Sequence, residues 1–374
     1  MKRRLTFIAV LVVTIALALS GCGTAKTDDK SGGVAKDKIK IGFIYVGPAN
    51  DGGWTQAHDN GRKYMVEQLG LSADQTVIKE IVNDANADSE QVMRDMIDQG
   101  CNIIFATSFG YASHVEKIAK EYPDVKFYHC SGYIKGDNIS TYFGRMYEPR
   151  YLSGIVAGLK TKTDRIGYAA AFETPEVISG INAFALGVKS VNPDAKIIVK
   201  WTHTWIDAAQ EKAAAVALLN DGCDVISQHN DSTSPQVAAE QKGAYAIGYN
   251  IDNPTAAPKA YMTAPIWNWG PYYQAEVQSV IDGSWKPSDY HGGMAEGILD
   301  LAPLTAVAPT EAKALVDDAK AKIKDGSLQV FAGEIKDQAG NVKVEKGKYL
   351  DYAQIMSTDM NWFVDNVEGV IEAQ

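Results

Sequence analysis

The sequence predicts an α/β protein of two Rossmann-like lobes, each built on a parallel sheet and joined to the other by a hinge. Three observations lead there. Short β-branched and aromatic runs alternate with segments of helical period from Ile39 onward. The alternation begins again near Arg165, in the same order. A junction in the first half, Asp98-Gln99-Gly100-Cys101-Asn102-Ile103-Ile104, has a counterpart in the second, Asp221-Gly222-Cys223-Asp224-Val225-Ile226. Strand, helix, strand at this rhythm implies parallel pairing through right-handed crossovers.

The N-terminus stands apart. Lys2-Arg3-Arg4 precedes an apolar run, Leu5 to Leu19, too short and wrongly flanked for a membrane span. It ends in Leu19-Ser20-Gly21-Cys22, which resembles a bacterial lipoprotein signal. That resemblance implies removal of residues 1–21 and lipidation of Cys22, which would anchor the protein to a bacterial membrane outside the cytoplasm. Residues 22–38 are small, polar and charged, and read as a tether. No later stretch is long and apolar enough to span a bilayer.

In the first half, Ile39–Tyr45 reads as a buried strand. Gly47-Pro48 and Asp51-Gly52-Gly53 break the chain, and a helix follows Trp54 until Gly70. Val77–Val82, Asn102–Thr107 and Val125–Cys130 read as strands, with helices at Ser89–Gln99 and Ser113–Glu121. In the second half the strands are Arg165–Ala169, Ile197–Trp201, 223–226, Ala244–Tyr249 and Tyr261–Ala264. Its helices are Val177–Ser190, Ala208–Leu219 and Gln236–Lys242. The tail reads as a helix at Pro271–Asp282 and a second at Thr310–Lys324, capped by Thr310. A hairpin of Gln329–Glu334 with Val342–Glu345, turning at Ala339-Gly340, and a closing helix at Thr358–Ile371 complete it. Residues 39–145 with about 267–300 are assigned to the first lobe and 146–266 to the second. The pattern does not say which lobe takes 301–374.

The chain has 374 residues, 46% of them hydrophobic and 22% charged, enough for two sizeable cores. Its net charge of −10 becomes −13 once residues 1–21 leave, because they carry three positive charges and no negative ones. Nucleic acid is not an expected partner of so acidic a chain. Cys101 opens one expected strand and Cys130 closes the next, beyond disulfide reach, so three buried thiols are expected with Cys223. No Cys or His pair has metal-site spacing, and no metal or cofactor is expected.

Two tandem lobes aim their strand-end loops at a shared cleft. The qualifying loops are Tyr45–Trp54, Ser108–Ala112, Ser131–Gly132, Phe172–Glu176, His203–Ala208, His229–Ser234 and Asn250–Pro254, rich in Trp, Asn, Asp, Ser and His. His58 and His203 have no identifiable partner and receive no role.

The stretches IGFIYVGPANDGGW, HTWIDAAQEKAAAVALLNDGCDVI, GYNIDNP and VFAGEIKDQAGNVKVEKGKYLDY, with the leader, resemble the basic membrane protein (BMP) family of substrate-binding lipoproteins. The resemblance covers nearly all of residues 39–374. It implies a type I periplasmic-binding-protein fold, a purine or nucleoside ligand, an ABC permease as partner, and a monomer. It also implies site residues. In Asp51-Gly52-Gly53-Trp54, Trp54 takes the aromatic position that stacks on the base. Trp205, before Asp207-Ala208-Ala209, takes the opposite face. Asp252, ending Gly-x-x-x-Asp, takes the polar edge.

The chain departs from the nucleoside binders at three places. Tyr45 stands where they carry an acidic residue. Trp267 stands near their ribose-side lysine. His229-Asn230-Asp231-Ser232 replaces a small, Gly-rich loop. With Trp267 filling the ribose side, a free base such as adenine is the expected ligand. Asn230 and Tyr45 are expected to add rim contacts, and Asp51 either touches ligand or, preferably, caps the first helix.

Flat apolar faces suit two tryptophans, and stacking contributes about 1–3 kcal/mol per base. Two such contacts make about half of the roughly 8 kcal/mol of a micromolar affinity. Catalysis is not expected, since no G-x-S-x-G, H-E-x-x-H or metal cluster is present. The alternatives are a nucleoside-binding relative, a sugar or autoinducer binder, a sensor lipoprotein, and a nucleoside hydrolase.

Overall fold

The computed structural model describes residues 32–84 and 86–372, so the leader and Cys22 lie outside the described residues. Its elements run β1 (Ile41–Ile44), α1 (Trp54–Leu69), β2 (Thr76–Lys79), α2 (Asp88–Asp98), β3 (Ile103–Ala106), α3 (Ala112–Glu121), β4 (Lys126–Cys130) and β5 (Ile139–Gly144). The chain continues through α4 (Tyr147–Lys160), β6 (Arg165–Ala170), α5 (Pro175–Val191), β7 (Lys196–Trp201), α6 (Ala208–Asn220), β8 (Val225–His229), α7 (Ser234–Gln241), β9 (Tyr245–Ile247) and β10 (Tyr261–Thr263). It ends with β11 (Pro265–Trp267), α8 (Gly270–Ile281), β12 (Asp289–Gly292), β13 (Leu299–Leu301), α9 (Ala312–Lys324), β14 (Ile335–Lys336), β15 (Val342–Val344), α10 (Tyr352–Ile355) and β16 (Val367–Glu368).

Two six-stranded sheets result, ordered β12-β5-β4-β3-β1-β2 and β10-β9-β8-β6-β7-β16. Every pairing within them is parallel. The α/β fold with parallel sheets is therefore as the sequence predicts. The chain passes between the lobes after Gly144, after Thr263 and after Gly292, with β11 and β13 pairing antiparallel beside the crossings. In the tail, α8 packs on α1 and α9 on α4, while β16 adds the edge strand beside β7.

The internal repeat holds at the level of single hydrogen bonds. Gly100 and Gly222 both adopt left-handed backbone, with φ of 94° and 89°. The following Cys101 N–H donates to Met96 O at 3.0 Å, and Cys223 N–H to Leu218 O at 3.1 Å. A helix stops, turns on glycine and feeds a buried strand in each lobe. Cys101, Cys130 and Cys223 are buried free thiols.

Helices α4 and α5 meet almost backbone to backbone. A Cβ at Gly154 would strike Phe184 O, and one at Gly187 would strike Tyr151 O. Glycine at both places is what lets the two helices approach so closely.

Three expectations for the tail change. Helix α9 begins at Ala312 with Glu311 at its N-cap, and Thr310 makes no cap. The hairpin's first strand is Ile335–Lys336 rather than 329–334. The closing helix does not form. Trp362, Phe363 and Val364 are buried in succession, and Val367 pairs with Ile197. Consecutive burial beside a sheet edge suits extended chain, since a helix would turn one of three neighbours outward. Among the described residues no helix is long and apolar enough to cross a membrane.

Candidate functional site

The loops at the carboxyl ends of both sheets enclose a cleft of about 420 Å³, within the usual range of ligand pockets. The first lobe contributes Val46, Trp54, Ile81 to Asp84, Ser108, Phe109 and Ser131. The second contributes Phe172, Glu176, His203 to Ile206, Asp231 and Tyr249. The lobes touch beside it, where a Cβ at Gly53 would strike Asp231 O.

Trp54 opens α1 and is half-buried. Its Nε1 donates to Thr107 O at 2.8 Å, which ties it to the end of β3. Behind it His58, Trp269 and Trp267 form a stack, with centroids 4.9 and 4.4 Å apart and planes within 7° and 10°. Trp54 stands perpendicular to that stack, 4.4 Å from His58 and 5.7 Å from Trp267. Burial holds the His58 pKa well below its usual value, so the stack stays neutral. Its Nδ1 pairs with Tyr273 Oη at 2.5 Å.

Trp205 reaches the cleft from the loop after β7 and packs against Phe172, centroids 5.3 Å apart. Its carbonyl accepts from Asp231 N–H at 3.0 Å. Asn230, fully buried beneath, donates through Nδ2 to Thr202 Oγ1 at 2.8 Å and to Thr204 O at 2.9 Å. Asp207 caps α6 by accepting from Ala209 and Gln210 N–H groups at 2.9 and 3.0 Å. Platform, support and cap thus lie within six residues of chain and one neighbouring loop.

The polar lining is acidic. Burial pushes the Asp231 carboxyl well above its usual pKa, and the nearby Asp51 charge adds to the rise. Asn250 donates to Asp231 Oδ1 at 2.8 Å. Burial raises Glu176 to about 7, against an opposing pull from Arg150. The His229 Nε2 atom lies 3.7 Å from Glu176 Oε1. Burial and Arg150 keep His229 well below its usual pKa, so near pH 7 this contact is not an ion pair. Arg150 is itself fully buried, donates to Gln228 O at 2.6 Å and lies over the Tyr249 ring at 3.9 Å. Among the described residues the cleft lining contains no lysine or arginine.

Of the residues expected at the site, Trp54 and Trp205 line this one cleft from opposite lobes. The other five described ones do not line it. Asp51 caps α1, accepting from Gly53, Gln56 and Thr55 N–H groups at 2.8, 3.0 and 2.8 Å. Tyr45 is fully buried in the first lobe and donates to Asp59 Oδ1 at 3.4 Å. Asn230 supports the Trp205 loop. Trp267 is buried at the lobe crossing and donates to Asn250 Oδ1 at 3.1 Å, so it backs Trp54 rather than narrowing the cleft. Asp252 is exposed and accepts from the Tyr261 hydroxyl at 2.8 Å. The carboxylates in the lining are Asp84, Glu176 and Asp231 instead. The loops holding Glu176 and Asp231 are strand ends that the βα rhythm marks. The loop Ile81–Asp84 is not among the expected ones, because its first two residues, Ile81 and Val82, read as a continuation of the strand, which in the structure stops at Lys79.

Residues 38–336 match the family model of ABC transporter substrate-binding proteins described as Bmp, PnrA-like. The chain is 42% identical over 284 residues to a purine-binding protein of Brucella abortus, covering 76% of this chain and 80% of that one. It is 38% identical over 276 residues to a Haloferax volcanii protein with a provisional name as the glucose-binding protein of an ABC transporter, covering 74% and 70%. A solved solute-binding protein of an ABC transporter system from Aeropyrum pernix K1 superposes with a TM-score of 0.67 at 19% identity, over 79% of this chain and 93% of that one. With a family match across most of its length, the chain belongs to the Bmp family of ABC transporter substrate-binding proteins.

Proposed function

We propose that the cleft captures a purine, with a free base such as adenine preferred, and that the protein delivers it to an ABC importer from a lipid anchor at Cys22. The observation that carries this reading is the pairing of Trp54 and Trp205, from opposite lobes, in one cleft whose polar lining includes the carboxyl groups of Asp84, Glu176 and Asp231. Two indoles suit the faces of a flat heterocycle, at about 1–3 kcal/mol each. The carboxyl groups of Asp231 and Glu176 suit the rim of a purine, because each can accept from an exocyclic amine or ring N–H and, when protonated, donate to a ring nitrogen. Among the described residues the lining holds three carboxyl groups and no lysine or arginine, which disfavours phosphate-bearing ligands. The preference for base over nucleoside rests on the missing ribose-side lysine. Trp267 contributes nothing to it, since it stands behind Trp54.

A sugar is the second reading. It is favoured by the tryptophan platforms, which also stack on sugars, and by the name of the Haloferax relative.

The test is thermal unfolding of ligand-stripped protein with adenine, guanine, hypoxanthine, their nucleosides and glucose. Ligand at about 100 times its dissociation constant stabilises by about 2.7 kcal/mol, a shift of a few degrees. Adenine should raise the midpoint more than adenosine. A larger shift with adenosine sinks the free-base preference, and a response to glucose alone sinks the purine reading.

A further inference from the structure

Strands β6, β7 and β16 lie side by side and parallel. The segments that leave their carboxyl ends therefore emerge together. Among the side chains they carry, three able to ligate a metal meet: Glu173 after β6, His203 after β7 and Glu372 after β16. One ring nitrogen of His203 and one carboxylate oxygen from each glutamate all lie within 4.8 Å of one another.

The backbone holds this arrangement. His203 N–H donates to Ala171 O at 2.9 Å, joining the loops after β7 and β6. Trp201 Nε1 donates to Val370 O at 2.7 Å, joining the tail to β7. His203 adopts left-handed backbone, φ 52°, a region in which histidine is enriched among non-glycine residues.

Glu173 points to a ligand independently. Its side chain is 5% exposed, and Oε1 has no hydrogen-bond partner among the described residues. Its Oε2 stands 3.7 Å from His203 Nδ1, too far for a hydrogen bond. A carboxylate this buried and this poorly partnered needs a compensating charge.

We propose that Glu173, His203 and Glu372 form a site for a first-row divalent cation of the zinc type, with water in the fourth position. One imidazole and two carboxylates make a nitrogen–oxygen donor set that suits zinc. Calcium takes six or more oxygens, which three such side chains do not supply. Ligand atoms around tetrahedral zinc stand about 3.4 Å apart, so modest rotation of the two exposed side chains closes the set. His203 also lines the cleft two residues before Trp205. The ion would therefore brace the loop that presents the second platform, whatever ligand the cleft takes.

The test is calorimetric titration of zinc into the full-length protein, purified in detergent without a histidine tag and stripped with EDTA. One zinc should bind per chain. His203→Asn keeps a residue that tolerates the left-handed backbone, and Glu173→Gln keeps shape. Each should weaken binding about tenfold or more. Zinc should raise the thermal midpoint of the parent protein and not that of either variant, with circular dichroism confirming that both fold. Absence of saturable one-to-one binding, or binding indifferent to both substitutions, overturns the site.

Discussion

The side-chain amide of Asn250 donates to Asp231 Oδ1 at 2.8 Å, from a residue held in left-handed backbone at φ 70°. Its oxygen accepts from Trp267, which fixes which end of the amide faces the carboxylate. Asn250→Gly keeps the backbone region and removes both bonds. A buried group left unpaired costs about 1–3 kcal/mol, so ligand affinity measured by calorimetry should fall about 5- to 150-fold. An unchanged affinity would show that the Asn250–Asp231 bond plays no part in recognition.

The two platforms should differ when truncated. Trp54 packs at the edge of the His58–Trp269–Trp267 stack, whereas Trp205 meets Phe172 on a surface loop. Both Trp54→Ala and Trp205→Ala should weaken binding by about 1–3 kcal/mol. Trp54→Ala should also lower the melting temperature of the ligand-free protein by several degrees, and Trp205→Ala should leave it nearly unchanged. Phenylalanine at either position should restore most of the affinity.

Glu176 makes stability depend on pH in a stated direction. Burial raises its pKa from 4.5 to about 7, so the folded state holds this proton more tightly than the unfolded state. Its contribution is present below about pH 4.5 and is lost as pH rises to about 7. Buried His229, whose pKa is lowered, acts oppositely below about pH 6.5. The difference between Glu176→Gln and the parent protein isolates the carboxyl. That difference in unfolding free energy should shift in favour of the variant between pH 5 and 8, by about 1–3 kcal/mol. A flat difference would place Glu176 in a wetter setting than its surroundings suggest.

Close packing of α4 on α5 gives a prediction away from the cleft. Gly187→Ala would drive a methyl group into Tyr151 O. Separation of the helices should destabilise the protein by about 1–3 kcal/mol or more in chemical denaturation. Ligand affinity of the folded fraction should be unaffected.

Much of the fold was legible because several helix ends are punctuated by glycine. Gly70, Gly100, Gly222 and Gly283 all adopt left-handed backbone where a helix was expected to stop or a strand to begin. The stretch from Ile139 to Lys160 was not legible. Strand β5 is buried throughout, and α4 is buried on most sides, so neither shows a clean period against a polar face. At the site, the strand-end rule located most of the loops, and Trp54 and Trp205 do line the cleft. It does not say which side chain of a loop turns inward. Asp231 and Asp252 sit in neighbouring loops, and Asp231, held by the Asn250 amide, lines the cleft while Asp252 faces Tyr261 and solvent. Nor does sequence spacing bring together Glu173, His203 and Glu372, which meet only through the strand order of the second sheet.

Gly53 acts as a set-screw on the jaw of the molecule. The space its missing methyl leaves against Asp231 O lets the two lobes come this near. Any larger residue there would wedge the jaw ajar without touching either core. Ligand would then have to do work against the wedge, and its apparent affinity would fall by the fraction of molecules still able to shut. A single absent atom at the rim thus permits the approach of the lobes seen beside the cleft.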